Sequence, residues 1–173
     1  MPDIARVDGM KVLGVYIDHN LGLKCHIDNI CHSAGQSLYA IKLLKALGLD
    51  QQSICDVCKA TLVAQLTYSI PAWWGFTSVS EQQQLQGQLN RAVKWGFYDQ
   101  TSPSIEQICF KRSSNLFFSV LGNPSHVLHQ YLPPVKISKY DLRSRAHNRQ
   151  LPAKATSLQR KNFICRMLFQ TLE

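Results

Sequence analysis

Apolar and polar positions follow a helical period over most of this chain, and the exception comes first. Lys11-Val12-Leu13-Gly14-Val15-Tyr16-Ile17-Asp18 is an apolar, β-branched run of strand length. Gly14 interrupts it where a bulge or a close backbone approach is expected. Met1 to Met10 has no periodicity, and Asp18-His19-Asn20 reads as a turn. From His26 the pattern changes to Ile27, Ile30, Ala34, Leu38, Ile41 and Leu44, whose spacing of three and four predicts a helix to about Leu47. Gly48 is its expected stop.

The stretch Gln51 to Phe76 predicts the central element, a long helix with a wide apolar face. Ile54, Val57, Cys58, Thr61, Gln65 and Tyr68 share one stripe, and Leu62, Val63 and Leu66 make the neighbouring face apolar. Such a helix must be packed on more than one side. Asp50 is placed to cap it, and Pro71, which lacks an N–H and clashes with the preceding turn, sets its limit near Ile70. Ala72-Trp73-Trp74-Gly75-Phe76 follows as an aromatic knot.

Ser78-Val79-Ser80-Glu81 has capping-box spacing and predicts a third helix. Its stripe is Leu85, Leu89, Ala92 and Val93, and it frays near Gly96. Short links make the three helices antiparallel. Ser104 is placed to cap a fourth helix with Ile105, Ile108, Cys109, Leu116 and Val120 inward, and Asn123-Pro124 predicts a short fifth. Lys136 to Thr156 has no apolar face able to pack alone and reads as an extended or disordered linker. Ser157 to Leu172 regains a helical stripe in Ile164, Met167, Leu168 and Leu172 and should dock on something. The fold class is therefore mainly α: one N-terminal β-strand or hairpin, a three- to five-helix bundle, and a basic, partly disordered C-terminal tail with a terminal helix.

Charge changes this picture. The net charge of +8 is concentrated between Lys136 and Arg166, where nine basic residues face Asp141 alone. An asymmetry of this kind is an electrostatic footprint for a polyanion, most often nucleic acid. Arg143, Arg145, Arg149, Lys154, Arg160 and Lys161 interleave with Tyr140 and His147, which suits phosphate contact by a segment that orders on binding. With Lys11 on the strand, these are the candidate nucleic-acid contacts, RNA or DNA. No run reaches the length of a membrane span, and the N-terminus lacks an apolar signal core. The expected setting is therefore intracellular, cytoplasmic or nuclear, with six free thiols.

The candidate chemistry is thin. Cys55-Asp56-Val57-Cys58 is a CxxC, but it lies inside the central helix with no second CxxC, so buried thiols fit better than zinc or a redox pair. His26-Ile27-Asp28 has the His-x-Asp spacing of an iron triad, for which His126, His129 or His147 would be the third ligand. That chemistry needs a rigid β floor that one strand does not supply. Phosphate loops, nucleophile elbows and adjacent carboxylates are missing from the sequence. The expectation is a non-catalytic chain without metal or cofactor. Trp73, Trp74, Phe76, Trp95 and Phe97 are suited to stacking bases, but few cations flank them, and a core corner is the better reading.

The order of these motifs resembles a family. The strand Lys11 to Asp18, His26-Ile27, Leu66-Thr67-Tyr68-Ser69-Ile70-Pro71-Ala72-Trp73-Trp74-Gly75 and Leu89-Asn90-Arg91-Ala92 resemble the region just after the catalytic palm in reverse transcriptases of non-LTR, jockey-like LINE retrotransposons. Asn115-Leu116-Phe117, Asn123-Pro124-Ser125-His126, Leu142-Arg143-Ser144-Arg145-Ala146-His147 and Asn162 to Phe169 resemble the C-terminal end of the same polyproteins. The resemblance implies a palm-edge, primer-grip-like strand over 1–25 and a thumb-like three-helix bundle over 26–98. Additional helices over 99–135, a basic linker over 136–156 and a terminal helix over 157–173 would follow. Its fingers and palm would be the intramolecular partner in an intact element. The family's catalytic Tyr/Phe-Ala-Asp-Asp is absent here, so polymerisation does not carry over. A strand without its sheet should be partly disordered or aggregation-prone before Leu23. The strand-plus-helices segment also resembles the helical module associated with the N-terminal part of an AlkB-type alkylated-DNA-repair homologue, without its dioxygenase or methyltransferase domains.

Overall fold

The structure, a computed structural model, describes residues 7–136, 147–152 and 156–170. It is mainly helical with an N-terminal β-hairpin, and it divides into two compact units: Met1–Tyr68 with Phe76–Ile108, and Ser69–Gly75 with Cys109–Glu173.

In the first unit, β1 (Gly9–Val12) pairs antiparallel with β2 (Val15–Asp18), Lys11 opposite Tyr16 and Val12 opposite Val15. Leu13 and Gly14 form the turn with φ of +46° and +90°. A two-residue type I′ hairpin needs both central residues left-handed, so Gly14 is a turn residue rather than a bulge. The hairpin gives the run the partner a lone strand lacks, although every residue of β1 stays exposed. Asp18 closes the link to the first helix, its Oδ1 accepting from the backbone N–H of Asn20 at 2.8 Å and of Gly22 at 2.6 Å.

Helix α1 (Lys24–Ala46) buries Ile27, Cys31, Ala34, Leu38 and Ile41, with Cys31 taking the place expected of Ile30. The helix ends at Leu47, and Gly48 follows at φ +89°. It packs against β2 and the central and third helical elements.

The central element departs most from expectation. Asp50 caps α2 (Gln51–Cys58) by accepting from Ser53 N–H, as its position predicts. A π turn (Lys59–Val63) follows, then α3 (Ala64–Leu66). Ile54, Cys58, Leu62, Leu66 and Ile70 are all fully buried, a spacing of four rather than the mixed stripe through Thr61, Gln65 and Tyr68. At 3.6 residues per turn a step of four overshoots by about 40°. The wider π turn takes that drift back and holds Leu62 and Leu66 on the inner face. The helix then stops earlier than expected. Pro71 has no N–H to offer Thr67, so continuation fails a turn upstream. Ser69 enters the left-handed region at φ +50°, and Pro71 sits in the first turn of a new short helix, α4 (Ile70–Trp73).

Helix α5 (Val79–Lys94) begins with the expected capping box: Glu81 N–H donates to Ser78 Oγ, and Ser78 N–H donates to the Glu81 carboxylate. It buries Leu85, Gln88, Leu89 and Ala92. Gly96, at φ +73°, turns the chain after it. Lys45 Nζ donates to Trp95 O at 3.2 Å and Gln51 Nε2 to Gly96 O at 2.6 Å, which satisfies carbonyls at that helix end.

Helix α6 (Ile105–Gly122) starts at Ser104, whose Oγ accepts from Gln107 N–H at 3.2 Å. In the second unit it buries Cys109, Ser113, Phe117 and Val120, so Phe117 replaces the expected Leu116. No helix opens at Pro124. Asn123 Oδ1 instead accepts from Ser125 N–H in a turn, and a single 3-10 turn (His129–Tyr131) follows. The terminal element is two helices: α7 (Ser157–Lys161), capped by Thr156, and α8 (Phe163–Gln170). Met167 and Leu168 of α8 pack with Phe117, which answers what the terminal stripe docks on.

Candidate nucleic-acid interface

The cations singled out by sequence lie in different surroundings. Lys11 is exposed on β1, in the first unit, with its ammonium 5.0 Å from the centre of the Tyr16 ring across the strand pair. In the second unit, Arg160 and Lys161 are exposed on the last turn of α7, where positive charge is favourable to the helix dipole. Lys136 is exposed as well. Arg143, Arg145 and Lys154 lie outside the described residues, as do Tyr140 and most of the expected linker.

Arg149 is turned partly inward. Its Nη1 donates to Pro133 O at 3.2 Å, and its Nε is buried. The described part of the linker is ordered around it: Val135 and Arg149 form an antiparallel bridge, Lys136 N–H donates to Asn148 O at 2.7 Å, and Gln150 N–H donates to Pro134 O at 2.9 Å. His147 is buried, its Nε2 paired with Leu168 O at 2.9 Å and its ring edge-on to Phe117. The tail is therefore anchored at His147 and again through α8.

Arg166 is the most withdrawn of the described tail cations. Its Nη2 donates to Pro71 O at 3.1 Å and lies 3.5 Å from Ser113 Oγ, while Nε and Nη1 are buried without a partner among the described residues. Burial pushes its pKa down, and the nearby Cys109 opposes this weakly. Gly75 keeps the space open: a Cβ there would collide with Lys161 O and come within 3.3 Å of Arg166 Nη1.

The aromatic residues divide. Trp73 and Phe97 are buried, and Trp95, which meets Phe97 edge-on at 5.8 Å, is 41% exposed. Among the described residues no group of three or more His, Cys, Asp or Glu side chains is placed to hold a metal ion. His26 is buried, and desolvation lowers its pKa. Cys58 of the CxxC is fully buried, its pKa pushed up to about 11 chiefly by burial.

Sequence reasoning missed a cleft of about 430 Å³ in the first unit, walled by α5, the 98–104 loop and the start of α6. Leu89, Val93 and Pro103 supply its apolar lining, and Asn90, Lys94 and Gln107 stand among its polar residues. The sequence signal was the Gln-rich face of α5, which reads as solvent-facing. Only the placement of Ile105 beside Gln86, nineteen positions away, makes it a wall.

No protein-family model matches this chain, and no curated protein or solved structure does either. None of the described helices is long and apolar enough to cross a membrane.

Proposed function

We propose that this chain is a nucleic-acid-binding thumb-and-tail segment of a retroelement reverse transcriptase, without polymerase activity of its own. The observation that carries the reading is the cluster of nine cations against Asp141 alone between Lys136 and Arg166, in a chain otherwise close to neutral. Phosphate neutralisation by such a segment releases counterions and supplies sequence-independent affinity. Two features support it. A hairpin with an exposed outer strand precedes helices that share α1 as their common wall, in the order the resemblance expects. Lys136, Arg160 and Lys161 stand at the surface, where phosphate can reach them.

The test is binding of a short fluorescent RNA, single-stranded and then duplex, across a salt series. Removing the whole tail is a poor control, because it strips Met167 and Leu168 from Phe117. Lys136→Gln, Arg160→Gln and Lys161→Gln in one full-length variant leave that packing in place. Affinity should fall with salt, and the triple variant should flatten the log–log slope by about two for single strands, at roughly 0.7 for each phosphate no longer neutralised. Binding that ignores both salt and the triple substitution overturns the reading. Absence of binding in both proteins favours a helical interaction module without a nucleic-acid role.

A further inference from the structure

The polar wall of the cleft has its hydrogen-bond directions set from within. Ile105 N–H donates to Gln86 Oε1 at 3.0 Å, and a backbone N–H can only donate, so that amide must present its oxygen inward. The Gln86 NH₂ is then committed to Asn90 Oδ1, at 2.9 Å. What Asn90 offers beyond this pair is its NH₂. The same logic holds at α6, where Ser104 N–H donates to Gln107 Oε1 at 2.9 Å and leaves the Gln107 NH₂ outward. Lys94 adds an ammonium, and none of the residues lining the cleft is a carboxylate.

A wall that turns the NH₂ groups of Asn90 and Gln107 outward, with one cation and no acid, is complementary to an oxyanion. The apolar residues Leu89, Val93 and Pro103 beside it suit a flat, weakly polar body attached to that anion. We infer that the cleft binds a phosphate group, with Asn90 Nδ2, Gln107 Nε2 and Lys94 Nζ as its ligands, carried by a free nucleotide or by the phosphodiester of a polynucleotide. This inference deepens the nucleic-acid reading without depending on the tail.

Two isosteric substitutions isolate the donors. Asn90→Asp still accepts from Gln86, and Gln107→Glu still accepts from Ser104 N–H, so each keeps its inner bond and replaces the outward NH₂ with a carboxylate oxygen. The experiment is a titration of the full chain with inorganic phosphate, AMP and an eight-residue oligothymidylate, followed by the side-chain amide NMR signals of Asn90 and Gln107. Those signals should move with phosphate and AMP at millimolar concentration. Each substitution should weaken binding at least about tenfold, as expected for loss of a charge-assisted hydrogen bond with a carboxylate in its place. The variant lacking the Lys136, Arg160 and Lys161 charges should titrate unchanged with phosphate, which separates this site from the tail. Movement with the oligothymidylate as well assigns the phosphodiester. Movement with AMP alone assigns a free nucleotide. Signals of Asn90 and Gln107 that stay still in the wild-type chain with all three probes overturn the inference, and so do full affinities in both isosteric variants.

Discussion

Tyr68 Oη donates to the carbonyl of Leu13 at 3.2 Å, and its ring lies against the α-carbon side of Gly14, 3.3 Å from where a Cβ would stand. One residue at the end of the central helical element thus holds the tip of a hairpin fifty-five positions away. Gly14→Ala meets two obstacles together, a φ of +90° and the Tyr68 ring. It should cost about 1–2 kcal/mol in urea unfolding. Tyr68→Phe keeps the ring and loses only the hydroxyl bond, so about 1 kcal/mol or less is expected. Equal losses in the two variants would mean the backbone at Gly14 is not the constraint.

Leu13 is the residue least suited to its place. It takes φ +46° and is 87% exposed. Asparagine tolerates the left-handed region and is favoured before glycine in a hairpin of this turn type. Leu13→Asn should raise stability by about 0.5–1 kcal/mol and slow hydrogen exchange at the paired amides of β1 and β2. A fall in the urea midpoint would show that the Leu13 side chain packs in a way that matters.

These two residues also show what was legible in the sequence. Three helix starts were, because each cap is a local pattern: Asp50, Ser78 with Glu81, and Ser104 act within three residues of themselves, whereas Asn123 caps only a turn. Gly48 and Gly96 were legible for the same reason. The hairpin turn was not, since Leu-Gly lacks the Asn or Asp that marks such turns. Nor was the π turn, which a strict 3.6-residue reading cannot express, although Leu62 and Leu66 were legible as an apolar face and Thr61 and Gln65 proved the exposed side. Pro71 in the sequence marks a terminator, yet its missing N–H suits a first turn equally well. The basic tail was legible as charge, but the inward turn of Arg149 and Arg166 depends on Pro133 O and Pro71 O, acceptors far from them in sequence. The cleft likewise depended on a long-range pairing, Gln86 with Ile105 nineteen positions away.

Thiol chemistry gives a direct check on the CxxC. Cys31, Cys58 and Cys109 are buried, whereas Cys25 is exposed. With a pKa of about 11, Cys58 is ionised only to about one part in a thousand at pH 8. Native protein treated with a thiol reagent should modify Cys25 first, and Cys58 only at the rate of unfolding. Mass mapping that finds Cys58 modified as fast as Cys25 would reopen a redox or metal role for the pair.

His26 sets a pH dependence whose sign follows from its burial. Desolvation lowers its folded-state pKa below the ordinary value of 6.5, so the folded chain holds the ring neutral where the unfolded chain already takes a proton. Well above pH 6.5 both states are neutral and His26 contributes no slope. As the pH falls from there through the folded pKa, the unfolded state binds the extra proton and stability is lost, by at most about 1.4 kcal/mol per pH unit from this one group. The urea midpoint should therefore fall between pH 7 and about pH 5, before most carboxylates titrate. His26→Phe carries no titrating ring, and its stability should be flatter over that window whatever its absolute value. Identical pH slopes in the two proteins would place the proton uptake on another histidine and remove His26 from the account.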